Sequence, residues 1–212
     1  MKQPVFEGVA TALVTPFKNG TLDIPTLQKL IDFQITNGVD ALVVCGTTGE
    51  ASTMSQAEQL SAISNAVQYA AGRCKIIAGT GSNCTAHAVE MSRLASAIGA
   101  DAVLVVTPYY NKCTQSGLVA HYSAIADAIP VPVIAYNVPS RTGVNISVDT
   151  YRELSHHPNI NGVKEAAAGT AKIARTLDVC GDDFFVWSGN DDEAVPALSV
   201  GARGLISVLS NV

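Results

Sequence analysis

A chain of 212 residues can bury one sizeable core or two small ones, and with 48% of its residues apolar and 15% charged it reads as a globular protein. Its formal net charge of −5, without any run of Lys or Arg, argues against nucleic acid or an anionic membrane as the main partner and points to small-molecule work. The most apolar run, Ala102-Val103-Leu104-Val105-Val106, is strand-sized and far below the ~18 residues of a membrane span, and Met1-Lys2-Gln3-Pro4 shows no signal-peptide core, so a cytoplasmic location without membrane association is expected. Taken in chain order, strand-like runs fall at Val9 to Val14, Ala41 to Cys45, Ile76 to Gly79, Ala102 to Thr107, Val133 to Tyr136, Asn161 to Lys164, Phe184 to Ser188 and Gly204 to Val208. Helix-sized amphipathic stretches separate most of them, among them Asp23 to Asn37, Ser55 to Ala71, Thr85 to Ile98 and Gln115 to Ala128. Start and stop signals support these helices: Asp23 before Pro25 and Gly38 after the first, Ser55 with Glu58 as a capping box and Gly72 after the second, Gly99 after the third.

Strands alternating with helices imply parallel pairing through right-handed crossovers. Eight runs at regular spacing favour an α/β fold of the (β/α)8 TIM-barrel type, as one domain over residues 1–212, over an open doubly wound sheet. The open-sheet alternative lacks its signature: the first turn, Thr15-Pro16-Phe17-Lys18-Asn19-Gly20, has no G-x-G-x-x-G, and Gly79-Thr80-Gly81-Ser82-Asn83 lacks the third glycine. The sequence stops at Val212, directly after the eighth run, so the expectation is a barrel shortened at its C-terminus, lacking an eighth helix and any further helical region.

Cys45, Cys74, Cys84, Cys113 and Cys180 are odd in number, widely spaced and without a C-x-x-C pair, and read as reduced. His87, His121, His156 and His157 have no metal-ligand spacing, and no metal site is expected.

In a βα barrel the chemistry gathers where strands end and βα loops begin. The loops here hold Gly46-Thr47-Thr48-Gly49-Glu50, Pro108-Tyr109-Tyr110-Asn111-Lys112, Tyr136-Asn137-Val138-Pro139-Ser140-Arg141-Thr142-Gly143, Lys164-Glu165, Ser188-Gly189-Asn190-Asp191 and Ser207. An amine at a buried strand end becomes nucleophilic when its pKa falls, and can then form a Schiff base with a carbonyl. Phenols and hydroxyls can move protons, an arginine can bind a carboxylate, and glycines let backbone amides approach a ligand; together these suit a small keto acid. Each residue also has a plainer reading. Tyr136 fits an aromatic strand terminus, Thr47 and Thr48 fit a turn before the second helix, Arg141 fits a surface charge, Tyr109 and Tyr110 fit packing or interface aromatics, and Asp191, Asp192 and Glu193 fit a solvated helix start. The plainer readings do not explain why all of these groups fall at the same end of successive strands.

In order and spacing, Gly46-Thr47-Thr48-Gly49-Glu50, Tyr136-Asn137-Val138-Pro139-Ser140-Arg141-Thr142 and Gly162-Val163-Lys164-Glu165 resemble the dihydrodipicolinate synthase (4-hydroxy-tetrahydrodipicolinate synthase) family, within the Schiff-base-forming N-acetylneuraminate lyase superfamily, over essentially the whole chain. The resemblance implies a lyase of lysine and diaminopimelate biosynthesis that condenses pyruvate with L-aspartate 4-semialdehyde to give 4-hydroxy-tetrahydrodipicolinate. It implies no cofactor beyond the covalent Schiff base and a homo-oligomer, dimer or tetramer. Carried over, Lys164 forms the Schiff base, Tyr136 is the central proton donor and acceptor, and Thr48 links it to Tyr110, which arrives from a neighbouring subunit. The amides of Thr47 and Thr48 hold the pyruvate carboxylate, Arg141 binds the carboxylate of the second substrate, and the backbones of Gly189 and Ile206 line the pocket. The resemblance also implies an allosteric lysine pocket whose matching positions here are Gln56, Gln59 and His87, without the carboxylate of lysine-inhibited relatives, so inhibition by lysine is expected to be weak or absent. Two alternatives stand beside this reading: a sugar-acid lyase of the same superfamily, against which Thr47 and Arg141 speak, and a catalytically silent shortened barrel.

Overall fold

In the computed structural model, which describes residues 1–212, the parallel strands β1 (Gly8–Ala12), β2 (Ala41–Val44), β3 (Lys75–Gly79), β4 (Ala102–Val106), β5 (Val133–Asn137), β6 (Ile160–Glu165), β7 (Phe185–Ser188) and β8 (Gly204–Ser207) pair in sequence order, and β8 closes onto β1. The crossovers carry α1 (Ile24–Thr36), α2 (Gln56–Ala70), α3 (Thr85–Ile98), α4 (Gln115–Ala126), the short α5 (Pro139–Thr142), α6 (Val148–Ser155), α7 (Thr170–Cys180) and α8 (Ala194–Ser199). The fold is the expected (β/α)8 barrel. All eight expected strands are present with ends displaced by a residue or two, as hydrogen-bonded pairing rather than composition sets where a strand stops.

The helix punctuation acts as its chemistry dictates. The Asp23 side chain accepts the Thr26 N–H at 3.2 Å, and Ser55 and Glu58 form a reciprocal capping box at the head of α2. Two features were not anticipated. Phe17–Lys18 and Thr21–Leu22 form a small antiparallel ribbon in the first βα loop, turned by Asn19 and Gly20 with φ of 53° and 77°, the conformation an Asn-Gly hairpin turn needs. After β8 the chain enters a 3₁₀ turn, Leu209–Asn211, stitched to the barrel where Asn211 Nδ2 donates to the Ala12 carbonyl at 2.9 Å and Gln34 Nε2 donates to the Ser210 carbonyl at 2.7 Å.

Side chains alternate across the barrel wall with the period of two that a strand imposes. On β5, Val133 and Ala135 face the helices while Ile134 and Tyr136 face the barrel interior. Val163 on β6 likewise faces the helices, which turns Lys164 inward and Glu165 outward. The interior is filled by Ala10, Ala12, Val43, Ile77, Leu104, Ile134, Phe185, Trp187 and Ile206. Its N-terminal floor is closed by Phe6, stacked on Trp187 with ring centroids 5.2 Å apart and accepting the indole N–H through its carbonyl at 3.1 Å. The opposite, C-terminal end stays open.

Candidate active site

Lys164 and Tyr136 are register partners on β6 and β5, one step before the strands end. Both project into the upper barrel, and the Lys164 ammonium lies 4.6 Å from the centroid of the Tyr136 ring. Lys164 is 4% exposed. Burial disfavours its charged form and brings its pKa down to about 8; Arg141 pushes in the same direction, while Asp191 opposes it. A fraction of the amine is therefore neutral near physiological pH, which nucleophilic attack on a carbonyl requires. Tyr136, 8% exposed, has its phenol pKa raised by burial, an effect moderated by the Arg141 charge and the Thr47 side chain.

A cavity of about 450 Å³ at the C-terminal end brings together Lys164, Tyr136, Thr47, Thr48, Arg141 and Gly189 from four strand ends. It adjoins a cleft of about 900 Å³ that shares Thr47, Tyr136 and Arg141 and adds Tyr109, Tyr110 and His87. Gly189 has a concrete reason to be glycine: a Cβ there would stand 2.8 Å from the Ala166 Cβ and 3.0 Å from the Lys164 Cε, in the space the reactive side chain uses. Arg141 lies in α5, opened by Pro139, so its guanidinium is carried by a short, proline-started turn directly after Tyr136.

Three placements bear on the carried-over roles. Thr47 is the hydroxyl side chain that lowers the Tyr136 phenol pKa, and Thr48 lines the same cavity as Lys164 and Gly189. Consecutive loop residues point in different directions, and the sequence of the loop does not say which one faces the phenol. Tyr110 stands out from its own chain, 89% exposed, with φ at 80° in the left-handed region that non-glycine residues rarely adopt. The Ile206 side chain is fully buried with the inner core, and Val208, two residues on, lines the cavity.

Two acidic residues mattered more than their sequence setting indicated. Asp191 accepts hydrogen bonds from the Ser207 hydroxyl and from the Val208 and Leu209 amides, the latter two at 3.1 and 3.3 Å, and so ties the β7 loop to the end of β8. It is not simply a solvated helix start. Glu165, 2% exposed, faces outward behind Lys164, with Asn137, Tyr151, Ala167 and Lys172 all donating to it. The one available signal was a carboxylate inside an otherwise apolar strand, which must find partners if it is buried.

No group of three or more His, Cys, Asp or Glu side chains comes together in a metal-binding arrangement, and no helix is long and apolar enough to cross a membrane.

A closed parallel βα barrel with a desolvated lysine and a phenol facing each other at its C-terminal mouth belongs to the class of barrels equipped for carbonyl chemistry through an amine. Comparison with known proteins narrows the class. The chain belongs to the dihydrodipicolinate synthetase family, whose model matches residues 5–212. It is 52% identical over 210 residues to the 4-hydroxy-tetrahydrodipicolinate synthase of Thermoanaerobacter sp. (strain X514), covering 99% of this chain and 71% of that protein. Among solved structures it superposes with a TM-score of 0.97 on a dihydrodipicolinate synthase from Bacillus anthracis, at 43% identity and covering 99% of this chain and 72% of that one. It matches the chloride-inhibited dihydrodipicolinate synthase from Acinetobacter baumannii complexed with pyruvate at a TM-score of 0.95 and 45% identity, covering 97% of this chain and 71% of that one.

Proposed function

We propose that this protein is a lyase that condenses pyruvate with L-aspartate 4-semialdehyde to 4-hydroxy-tetrahydrodipicolinate, in lysine and diaminopimelate biosynthesis. Family membership supports the reaction, and the observation that carries it in this chain is the inward-facing, desolvated Lys164 against Tyr136. The neutral Lys164 amine attacks the keto carbon of pyruvate, and loss of water leaves a protonated imine. Removal of a proton from the former methyl group gives an enamine. Its carbon attacks the aldehyde carbon of the second substrate, and the new alkoxide takes up a proton. The amine of the condensed product then displaces Lys164 as the ring closes, which regenerates the enzyme.

The residues divide this work by position. Tyr136, beside Lys164 and retaining its proton because burial raises its pKa, delivers and recovers protons at the reacting carbon and oxygen without leaving a lasting charge in the cavity. Thr47 connects to the phenol, and the amides of Thr47 and Thr48 receive the pyruvate carboxylate. Arg141 binds the carboxylate of the aldehyde substrate at the mouth. Gly189 leaves room for the Lys164 stem, and Ile206 supports the floor from the inner core. Tyr110, almost fully exposed at the mouth of its own barrel, completes the proton path of a second copy, so the working form is a homo-oligomer. The reaction needs no cofactor beyond the covalent Schiff base, and it takes place in the cytoplasm. A coupled assay with pyruvate and either aspartate semialdehyde or a sugar aldehyde tests the reading: turnover restricted to aspartate semialdehyde is expected, and turnover of the sugar aldehyde alone would overturn it.

A further inference from the structure

We infer that Lys172 is a positioning residue for the second substrate, latching the loop that carries Arg141 to the strand that carries Lys164. The inference rests on the roles of Lys164 and Arg141 proposed above. Behind the reactive pair, the next residues along the two strands, Asn137 and Glu165, face outward and meet: Asn137 Nδ2 donates to Glu165 Oε1 at 2.6 Å. The same oxygen accepts the Ala167 N–H at 2.8 Å, and Oε2 accepts the Tyr151 hydroxyl at 2.7 Å. Lys172, from the first turn of α7, adds an ion pair to Oε2 at 2.9 Å and lies 5.1 Å from the Tyr151 ring centroid.

The second bond of Lys172 gives the cluster its function. Its Nζ donates to Asn145 Oδ1 at 2.7 Å, in the segment that leaves α5 immediately after Arg141. Asn137 holds the same segment by donating to Asn145 Oδ1 at 2.9 Å and accepting the Ile146 N–H at 3.0 Å. One ammonium therefore bridges the buried carboxylate next to Lys164 and the loop downstream of Arg141. Charge-assisted bonds are short and directional, and two-pronged capture of a carboxylate by a guanidinium tolerates little displacement. Glu165 keeps its Asn137, Tyr151 and Ala167 donors without Lys172, so loss of the ammonium loosens the Arg141 loop while leaving the Lys164 strand in place.

The test is steady-state kinetics on Lys172→Met, Lys172→Arg and Asn145→Ala, together with borohydride trapping of pyruvate. In Lys172→Met and Asn145→Ala the KM for aspartate semialdehyde is expected to rise about tenfold, while trapping on Lys164 stays within about twofold of wild type. Lys172→Arg, which can still bridge both partners, is expected to restore the KM to within about threefold. An unchanged aldehyde KM, or a parallel loss of trapping and aldehyde affinity that Lys172→Arg does not rescue, would overturn the inference while leaving the functional reading standing. Failure of the wild-type protein to trap pyruvate would instead overturn that reading and this inference with it.

Discussion

Lys164 and Tyr136 face each other across neighbouring strands, with the ammonium 4.6 Å from the ring centroid, inside a barrel wall that holds both almost free of water. This arrangement sets the pH behaviour of both groups. Because burial lowers the Lys164 pKa to about 8 from 10.5, the rate of pyruvate trapping is expected to rise with pH through a midpoint near 8. A midpoint at an ordinary lysine value would show that the amine is solvated.

The same shift bears on stability. Below about pH 8 the folded protein holds a charged amine that it solvates less well than the unfolded chain does; between pH 8 and about 10.5 the unfolded chain binds more protons, so stability rises with pH. Replacing Lys164 with Met is therefore expected to stabilise the protein at pH 7 by up to about 3 kcal/mol, a gain that disappears as pH approaches 10.5. Denaturant titrations at the two pH values check this, and a Lys164→Met variant less stable than wild type at pH 7 contradicts it.

Asp191 couples the end of β8 to that pKa. Its carboxylate raises the Lys164 pKa while accepting bonds from Ser207, Val208 and Leu209. Asp191→Asn should move the trapping midpoint below that of wild type and cost about 1 to 3 kcal/mol of stability through the weakened loop tie. An unmoved midpoint would show that Asp191 acts on the fold alone.

Gly189→Ala probes space rather than charge. The added methyl would lie 3.0 Å from the Lys164 Cε and must displace it or the Ala166 side chain. A misplacement near 1 Å is worth about a hundredfold in rate. Turnover is expected to fall on that scale with at most about 1 to 3 kcal/mol lost in stability. Full activity in this variant would mean that the Lys164 side chain sits elsewhere during catalysis.

Lysine itself is expected to inhibit weakly or not at all. The cleft beside the site is lined by Gln59, His87 and Ser82, and no Asp or Glu side chain lines it to pair with an ammonium group. Half-inhibition at sub-millimolar lysine would contradict this.

The barrel and the reactive pair were legible in the sequence because both follow from periodicity: eight short apolar runs between amphipathic stretches specify the architecture, and Lys164 and Tyr136 lie at strand ends where alternation determines which way they point. What was not legible lies in loops or in contacts between distant segments. No period distinguishes Thr47 from Thr48 in a turn. Glu165 gains its role from Asn137, Tyr151 and Lys172, and Asp191 from Ser207 and Val208, pairings that exist only once the barrel has closed. The Asn19-Gly20 ribbon, by contrast, carries its own turn signal but belongs to no barrel strand, so the eightfold pattern does not reveal it.

The central claim is that Lys164 forms a Schiff base with pyruvate, and the most direct measurement is reduction of the protein with borohydride in the presence of pyruvate, followed by peptide mass spectrometry. The account predicts one reduced pyruvyl adduct, on the peptide containing Lys164, and its absence in a Lys164→Met variant. An adduct on another lysine, or none where a synthase relative labels under the same conditions, would contradict it.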